Sequence, residues 1–216
     1  MNAQNAMKKT YLFDFDGTLV DSMPTYFKGL LNVLDEFQIP YSDDIVKIVT
    51  PLGYPGTARY FQSLGVPLSE DEIIRRFQDY SVNAYTNSVP AKKNVVETLR
   101  ILKEQGHSLN VLTASPHTQL DPCLKRLGIM EWFDHVWSCN DFNTTKADPE
   151  IYKRAAEQMG VPVKDVIFLD DNYNADKTAK EAGMIVYGVY DPYSEPYLDE
   201  IKALVDKFIY DFKELL

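Results

Sequence analysis

The feature that most constrains the fold of this chain is a series of short apolar runs that alternate with helical patterns. The runs are rich in β-branched, aromatic and aliphatic residues, a composition typical of buried strands. They are Tyr11–Phe15, Ser108–Thr113, Phe133–Ser138, Asp165–Asp170 and Met184–Tyr190. Strands and helices that alternate in this way predict an α/β fold, with a Rossmann-like parallel sheet covered by helices on both faces.

The helical patterns between these runs have recognisable ends. Asn94 and Glu97 have the spacing of a capping box, which predicts that a helix begins there. Asp148 followed by Pro149 predicts the start of another helix, and Gly160 predicts its end. The remaining predicted elements of this part of the chain are helices over Gln119–Leu127, Asn174–Ala182 and Leu198–Val205 and an edge strand within Phe208–Phe212.

Residues 20–89 interrupt the alternation of strands and helices. Apolar residues recur there at helical spacing, and Ser69 with Glu72 forms a second capping box ahead of another apolar run. This stretch has no convincing strand pattern. We therefore predict two domains, which are a sheet domain formed by residues 1–19 and 90–216 and a helical insertion formed by residues 20–89.

Two carboxylates lie at the end of the first apolar run. In a strand, whose side chains alternate, Asp14 and Asp16 point to one side and Phe13 and Phe15 point to the other. Two like charges so close together are unfavourable unless a cation or a network of donors binds them. The pair therefore indicates a functional site, although Asp16 could instead make the local hydrogen bonds of a turn or a helix cap.

A second acidic pair, Asp170 and Asp171, follows the apolar run Val166–Leu169. All strands of a parallel sheet end at the same edge, and ligands bind at that edge. The two acidic pairs should therefore converge, and carboxylates that converge at one edge form an oxygen-rich site of the kind that binds Mg²⁺. The alternative for Asp170 and Asp171 is a role as the N-cap of the next helix.

Residues near two other predicted strand ends could bind an anion. Thr113, Ala114 and Ser115 lie between a strand and a helix, where hydroxyl and backbone N–H groups can hold a phosphate. Lys146 precedes the helix start at Asp148, and its ammonium could neutralise a phosphoryl group or the nearby carboxylates. Considered alone, the first segment could simply cap a helix, and Lys146 could be an ordinary surface charge.

Taken together, these segments resemble the four ordered motifs of the haloacid dehalogenase (HAD) superfamily. The matching segments are Asp14-x-Asp16-Gly17-Thr18, Thr113 after a second strand, Lys146 ahead of Ala147-Asp148-Pro149, and Asp170-Asp171 after a later strand. The resemblance covers nearly the whole chain and implies a HAD-like core. The helical insertion after the first motif resembles the cap of the subgroup that contains β-phosphoglucomutase and phosphoglycolate phosphatase.

The resemblance implies a role for each matching residue. Asp14 would attack phosphorus and form an aspartyl-phosphate, and Asp16 would protonate the leaving oxygen and then activate water. Thr113 and Lys146 would complete the catalytic set by holding the transferring oxygens. The groups expected to bind Mg²⁺ are the carboxylate of Asp14, the backbone carbonyl of Asp16, and the carboxylates of Asp170 and Asp171.

Substrate-binding residues are expected in two places. Near the motifs they are Gly17, Thr18, Ala114 and Ser115. Within the insertion, Thr50–Thr57 is rich in turn-forming residues and predicts a loop facing the active site, which makes Tyr54 and Arg59 further candidates. The alternative is a tight turn between helices, with Arg59 in solvent.

Asp16 also distinguishes among the activities of the superfamily. Dehalogenases lack an Asp two residues after the nucleophile, because a halide leaving group needs no proton, so Asp16 argues against dehalogenation. The chain departs from the family pattern at Ala147, where Pro is common. The fourth motif often continues to another Asp four or five residues on, and here Ala175 occupies the nearer position and Asp176 the farther one. The following residue, Asp176, has no assigned role.

The charge and cysteine content of the chain exclude several classes of protein. With 22 Lys and Arg against 32 Asp and Glu, the net charge is -10, which disfavours nucleic acid and anionic membranes as partners. No apolar run approaches the roughly 20 residues that span a bilayer, and Met1–Thr10 is polar, so a cytoplasmic location is expected. Cys123 and Cys139 lack metal-ligand spacing and are expected to be buried or incidental thiols.

We therefore predict a Mg²⁺-dependent phosphatase that hydrolyses a small phosphorylated metabolite through an aspartyl-phosphate. A sugar-phosphate mutase resembling β-phosphoglucomutase is the alternative among enzymes. A noncatalytic binding or regulatory protein on the same fold is the alternative outside enzymes. The set of Asp14, Asp16, Lys146, Asp170 and Asp171 argues against this last alternative, because such a protein needs no cluster of mutually repelling carboxylates.

Overall fold

The chain folds into two compact units. The computed structural model describes residues 8–42, 44–49 and 52–216. One unit consists of the chain up to Asp21 together with Pro90–Leu216, and we call it the core unit. The other consists of Ser22–Val89, and we call it the helical unit.

The core unit is built on a parallel sheet. Its strands are β1 (Thr10–Phe13), β2 (Ser108–Thr113), β3 (His135–Ser138), β4 (Val166–Asp170), β5 (Ile185–Val189) and β6 (Lys207–Ile209). Their spatial order is β3-β2-β1-β4-β5-β6, and every neighbouring pair is parallel. The predicted Rossmann-like α/β fold is therefore confirmed. The edge strand is shorter than predicted, because Phe212 belongs to a short 3₁₀ helix, Phe212–Leu215, and not to β6.

Helices make up the secondary structure of the helical unit in the part of the chain that the structure describes. They are α1 (Met23–Glu36), α2 (Ile45–Val49), α3 (Gly53–Ser63) and α4 (Glu70–Asn87). The predicted capping box at the start of α4 is present: Ser69 Oγ accepts from the backbone N–H of Glu72, and Glu72 Oε2 accepts from that of Ser69. Phe27, Phe61 and Phe77 are buried between these helices and form the centre of their shared core.

The prediction of a turn-rich loop over Thr50–Thr57 is wrong from Gly53 onward. Thr50 and Pro51 lie outside the described residues, and α3 begins at Gly53. Pro55 is compatible with this helix because it lies in the first turn, where a backbone N–H has no intrahelical acceptor to lose. Tyr54 and Arg59 are therefore side chains of a helix and not of a loop.

Helices follow the strands of the core unit in the order expected for βαβ connections. They are α5 (Val95–Glu104), α6 (His117–Arg126), α7 (Pro149–Met159), α8 (Tyr173–Ala182) and α9 (Leu198–Leu204). Asp148 caps α7 by accepting from the backbone N–H of Glu150, and Gly160 ends that helix at a φ of 72°. Both ends of α7 are therefore confirmed. No helix in the described ranges is long and apolar enough to cross a membrane.

The capping box predicted at Asn94 is wrong. Asn94 precedes α5 with a φ of 63°, and its side chain makes no capping hydrogen bond. Its amide instead donates to both carboxylate oxygens of Asp211, at 2.9 and 2.7 Å. The amide is therefore used by a distant segment of the chain, and the left-handed backbone, which Asn tolerates better than most residues, provides the turn into the helix.

The strand order places a reversal point beside β1. The chain runs from β1 to β2 and β3 on one side of the sheet and then returns to β4 on the other side. β1 and β4 pair in register from Thr10 opposite Val166 to Phe13 opposite Leu169. In open parallel sheets the crevice at the carboxyl ends of two such strands is where ligands bind. The two acidic pairs lie at the ends of these two strands.

Candidate active site

Three buried carboxylates meet where β1 and β4 end. The backbone N–H of Asp14 donates to the carbonyl of Leu169 at 2.8 Å, so the first residue after β1 lies beside the end of β4. Asp14, Asp170 and Asp171 each offer a carboxylate oxygen within 4.8 Å of the others. All three side chains are buried. The strand register thus brings together three residues from two distant segments of the chain.

Lys146 joins two of these carboxylates. Its ammonium donates to Oδ1 of Asp14 and, at 2.8 Å, to Oδ2 of Asp170. It also lies 5.5 Å from the centre of the Phe168 ring. The side chain of Lys146 is 13% exposed, so it is not the solvated surface charge of the alternative interpretation.

A tyrosine that sequence reasoning missed fixes the backbone on either side of this ion pair. The hydroxyl of Tyr152 in α7 lies 3.2 Å from the carbonyl of Lys146 and 3.2 Å from the carbonyl of Ala175 in α8. Its ring packs edge-to-face on Phe168, with the ring centroids 5.1 Å apart. Tyr152 therefore links the segment that carries Lys146 to the helix that follows Asp171.

The first motif and Asp171 approach each other very closely. Gly17 has a φ of 74°, and a Cβ atom placed there would lie 2.7 Å from the Asp171 carboxylate. Only glycine fits such a position without strain. Thr18 Oγ1 donates to Oδ1 of Asp171 at 3.2 Å, and Ser194 Oγ donates to Oδ2 at 3.1 Å. The hydroxyl of Thr18, predicted to contact substrate, thus binds a carboxylate of the protein, and Gly17 makes room for that carboxylate.

The residues after β2 lie at the same edge of the sheet. Ser115 Oγ donates to Oδ2 of Asp16, and the backbone N–H of Ser115 donates to Thr113 Oγ1 at 3.0 Å. Ala114, between them, is exposed. Asp16 is therefore oriented by a hydroxyl from the second motif. The roles of Thr113, Ala114 and Ser115 in anion binding stay predictions.

The electrostatics of the site follow from burial and from the distribution of charges. Burial raises the pKa of Asp14 well above its usual value, against the attraction of Lys146. Burial, with the neighbouring charges of Asp170 and Asp191, raises the pKa of Asp171 to about 7. Burial tends to lower the pKa of Lys146, but the attraction of Asp14 and Asp170 outweighs it and the pKa is raised. One buried ammonium thus faces an excess of buried carboxylates.

This donor set fits a hard divalent cation. Carboxylate oxygens are the protein ligands that Mg²⁺ and Ca²⁺ prefer, and no sulfur or imidazole ligand is part of the described three-residue cluster. Lys146 compensates only part of the negative charge of Asp14, Asp170 and Asp171. A divalent cation would offset the rest, which is the condition under which closely spaced buried carboxylates remain ionised.

Asp176 lies behind this cluster in the interior of the protein. Its side chain is fully buried, and neither carboxylate oxygen has a hydrogen-bond partner among the residues that the structure describes. Burial raises its pKa well above the usual value, and repulsion by Asp170 and Asp171 adds to the effect. Asp176 is therefore a residue whose neutral form is favoured, and its role in the reaction stays unassigned.

The two substrate-binding candidates of the helical unit have partners within that unit. The Tyr54 hydroxyl lies 3.2 Å from Ser81 Oγ, and the Tyr54 ring stacks on Tyr26 with centroids 5.8 Å apart. Arg59 Nη1 donates to Oε1 of Glu70 at 2.9 Å, in a pair whose Arg59 side chain is 62% exposed. Their contact with substrate stays a prediction.

Two further residues of the site escaped sequence reasoning. Lys92 lies in the linker that returns from the helical unit, and its ammonium donates to the carbonyl of Gly17 and to the carboxylate of Asp191. Ser194 lies in the 3₁₀ helix Pro192–Tyr197 after β5 and reaches Asp171. No motif marks either residue, because a lysine in a linker and a serine in a turn are ordinary surface patterns.

Comparison with known proteins reveals relatives that match most of the chain. The sequence model of the haloacid dehalogenase-like hydrolases matches residues 11–189. A phosphorylated carbohydrates phosphatase of Thermotoga maritima is 26% identical over 82% of this chain and 83% of its own length. The pyrophosphatase PpaX of Bacillus velezensis is 30% identical over 82% of this chain and 81% of its own length.

Similarity to solved structures extends through both units. A protein from Haemophilus somnus, described as a predicted phosphoglycolate phosphatase, has a TM-score of 0.80 at 26% identity. The match covers 96% of each chain.

Proposed function

Because the chain belongs to the haloacid dehalogenase-like hydrolases and is an enzyme of the phosphatase class, we propose that it hydrolyses a small phosphate monoester with Mg²⁺ and an aspartyl-phosphate on Asp14. The observation that carries the proposal is the buried cluster at the ends of β1 and β4. There Asp14 lies within reach of Asp170 and Asp171 while its Oδ1 is held by Lys146. A helix cap or a surface charge cluster needs no such arrangement.

In the first step Asp14 attacks the phosphorus atom of the bound ester. A bond forms between a carboxylate oxygen of Asp14 and phosphorus, and the bond from phosphorus to the leaving oxygen breaks. Lys146 fixes the plane of the carboxylate by holding Oδ1, so the attacking group does not have to be ordered during the reaction. Asp16 donates its proton to the leaving oxygen, and the alcohol departs as a neutral molecule.

In the second step water replaces Asp14 on phosphorus. Asp16, now ionised, accepts a proton from the attacking water, and the bond from phosphorus to the Asp14 oxygen breaks. Inorganic phosphate leaves, and both carboxyl groups return to their starting states. The hydrogen bond from Ser115 to Oδ2 of Asp16 supports this double role, because it orients the carboxyl group at the site.

The residues that would bind Mg²⁺ are Asp14, Asp170 and Asp171, together with the backbone carbonyl of Asp16. A bound Mg²⁺ ion stabilises negative charge on the phosphoryl oxygens. The chain's own contribution to the same task is Lys146, supported by the Thr113–Ser115 segment, whose hydroxyl and N–H groups are proposed to bind the phosphoryl oxygens.

The cytoplasmic location expected from the sequence remains a prediction.

The test is an assay of phosphate release across a panel of small phosphate esters and one phosphoanhydride, pyrophosphate, with and without Mg²⁺. The panel includes sugar phosphates, pyrophosphate and phosphoglycolate, because the relatives have these three kinds of activity in their names. We expect release that depends on Mg²⁺ and that chelation abolishes. Absence of release from every ester, with a folded protein and saturating Mg²⁺, would overturn the proposal.

The same assay separates a phosphatase from a sugar-phosphate mutase. The protein is incubated with β-glucose 1-phosphate and Mg²⁺, primed with glucose 1,6-bisphosphate, while glucose 6-phosphate and free phosphate are both measured. A mutase must exclude water so that the phosphoryl group returns to a sugar hydroxyl. Rapid isomerisation with negligible phosphate release would therefore replace hydrolysis by the mutase alternative.

A further inference from the structure

The ammonium of Lys92 is bound by three acceptors in the core unit. Nζ donates to the carbonyl of Gly17 at 2.5 Å, to the carbonyl of Tyr190 at 2.6 Å and to Oδ2 of Asp191 at 3.0 Å. The Lys92 side chain is 17% exposed, and the Asp191 side chain is 1% exposed. An ammonium group has three N–H donors, so all of its hydrogen-bonding capacity is used inside the protein.

The first of these contacts leads to Asp171 through the turn after β1. Lys92 holds the carbonyl of Gly17, and the next residue, Thr18, donates from Oγ1 to Oδ1 of Asp171 at 3.2 Å. Thr18 is fully buried. The backbone of Lys92 is also fixed, since its N–H donates to the carbonyl of Leu19 at 3.0 Å. The linker that carries Lys92 and the turn after β1 are therefore joined at two points.

The third contact leads to Asp171 from the opposite side. Asp191 begins the 3₁₀ helix Pro192–Tyr197, where its Oδ1 accepts from the N–H of Tyr193 at 2.9 Å and its carbonyl accepts from the N–H of Ser194 at 3.0 Å. Ser194 Oγ then donates to Oδ2 of Asp171 at 3.1 Å. Lys92 thus closes a ring of contacts. The members of this ring are Lys92, Gly17, Thr18, Asp171, Ser194 and Asp191, and each carboxylate oxygen of Asp171 accepts one hydrogen bond from a hydroxyl.

We propose that Lys92 is a positioning residue for the Asp171 carboxylate, acting through Thr18 and Ser194, and that it thereby sets the affinity of the site for a divalent cation. The inference rests on the proposed function, because it assigns Asp171 to the cation. A carboxylate oxygen that accepts one hydroxyl still has a lone pair for a metal ion. Groups that orient a metal ligand in this way typically change metal affinity about tenfold to a hundredfold when they are removed.

The adjacent lysine provides a matched control. The Lys93 side chain is 86% exposed, and its ammonium lies 3.9 Å from a carboxylate oxygen of Asp211, outside the ring. Lys92→Met and Lys93→Met remove the same charge from neighbouring positions of one linker. A difference between the two variants therefore reports on the contacts of Lys92 and not on the net charge of the protein.

The experiment measures Mg²⁺ binding to the full-length protein by titration calorimetry, without substrate, alongside thermal unfolding. We expect Lys92→Met to weaken Mg²⁺ binding by about tenfold or more, while Lys93→Met stays within about twofold of the parent protein. In activity assays, Lys92→Met should require more Mg²⁺ for half-maximal rate but approach the parent kcat at saturation. A loss that is merely structural would lower the rate at every Mg²⁺ concentration.

Ser194→Ala tests the same ring at its other end. It should weaken Mg²⁺ binding, and its effect should be less than additive with that of Lys92→Met, because both act on one carboxylate. If Lys92→Met does not fold, Ser194→Ala takes its place as the test, and unchanged Mg²⁺ binding by the Ser194→Ala protein would overturn the inference. Parent-like Mg²⁺ binding by a folded Lys92→Met would overturn it too. Failure of the parent protein itself to bind Mg²⁺ would overturn the proposed metal site together with this inference.

Discussion

Two lysines of the core unit and two arginines of the helical unit differ in their exposure and in the number of their partners. In the core unit, Lys92 and Lys146 are 17% and 13% exposed, and they donate to three and two acceptors respectively. In the helical unit, Arg59 and Arg76 are 62% and 41% exposed, and each pairs with one carboxylate, Glu70 and Glu36 respectively.

The two lysines are largely buried beside the carboxylates of the proposed active site, whereas the two arginines belong to the solvated surface. A buried charge loses much of its hydration, so it persists only where its partners are close and well oriented, and removing one partner is costly. An exposed ion pair gains little over hydration by water and contributes about 0–1 kcal/mol. We therefore expect substitutions of the buried charged residues at the site of the core unit to affect catalysis strongly, and substitution of an exposed ion-paired residue such as Arg76 to affect it weakly.

The largest effect is expected at the nucleophile. Asp14→Asn preserves the shape of the side chain but removes the attacking carboxylate, so phosphate release should fall by about 10⁴-fold or more. Circular dichroism and cooperative thermal unfolding should show a folded protein. Release above a few per cent of the parent rate, from protein free of deamidated material, would contradict the assignment of Asp14.

A slightly smaller effect, dependent on the leaving group, is expected for Asp16→Ala. An alkyl phosphate needs a proton on its leaving oxygen, so its hydrolysis should fall by about 10²–10⁴-fold. An activated aryl phosphate needs little protonation and should lose considerably less. Rates are compared for both substrates under saturating Mg²⁺, and equal losses would argue against an acid role for Asp16.

Exchange of the metal ion should give the next effect. Mg²⁺ favours near-octahedral coordination, whereas Ca²⁺ takes more ligands and can engage both oxygens of one carboxylate. Ca²⁺ should therefore bind to the cluster of Asp14, Asp170 and Asp171 but support less than about a tenth of the Mg²⁺ rate. Equal rates at saturating Ca²⁺ and Mg²⁺, or activity that a chelator leaves unchanged, would show that the proposed cation site is wrong.

The smallest effect is expected in the helical unit. Arg76→Met removes an exposed pair with Glu36 and a contact with the Phe37 ring, so the free energy of unfolding should fall by less than about 1 kcal/mol. Denaturant unfolding measures this change, and phosphate release should match that of the parent. A loss of activity comparable to that of Asp16→Ala would remove the contrast between the two units.

Several parts of the fold could be predicted because they depend on local pattern. The limits of β2 agree with the predicted strand, and α7 begins and ends where Asp148 and Gly160 predict. The Ser69 capping box is present as well. Each of these signals involves residues close together in sequence, whose preferred conformations agree with the tertiary structure.

The predictions failed where a contact with a distant segment determined the conformation, or where turn-forming residues were also compatible with a helix. Asn94 does not cap α5, because Asp211, remote in sequence, binds its amide. The segment from Gly53 continues as a helix although its Pro and Gly content favours turns, since Pro55 lies in the first turn and costs the helix no hydrogen bond.

The sequence by itself determined the alternation of strands and helices, and with it the convergence of Asp14 and the Asp170–Asp171 pair, because parallel strands end at one edge whatever their exact packing. Only the tertiary structure decided how these carboxylates are held. The contacts that Lys92 and Ser194 make with Gly17, Asp191 and Asp171 join segments that lie far apart in the chain. A hydrogen bond between distant segments leaves no periodic trace in sequence, since its geometry depends on how the whole sheet and its loops are packed.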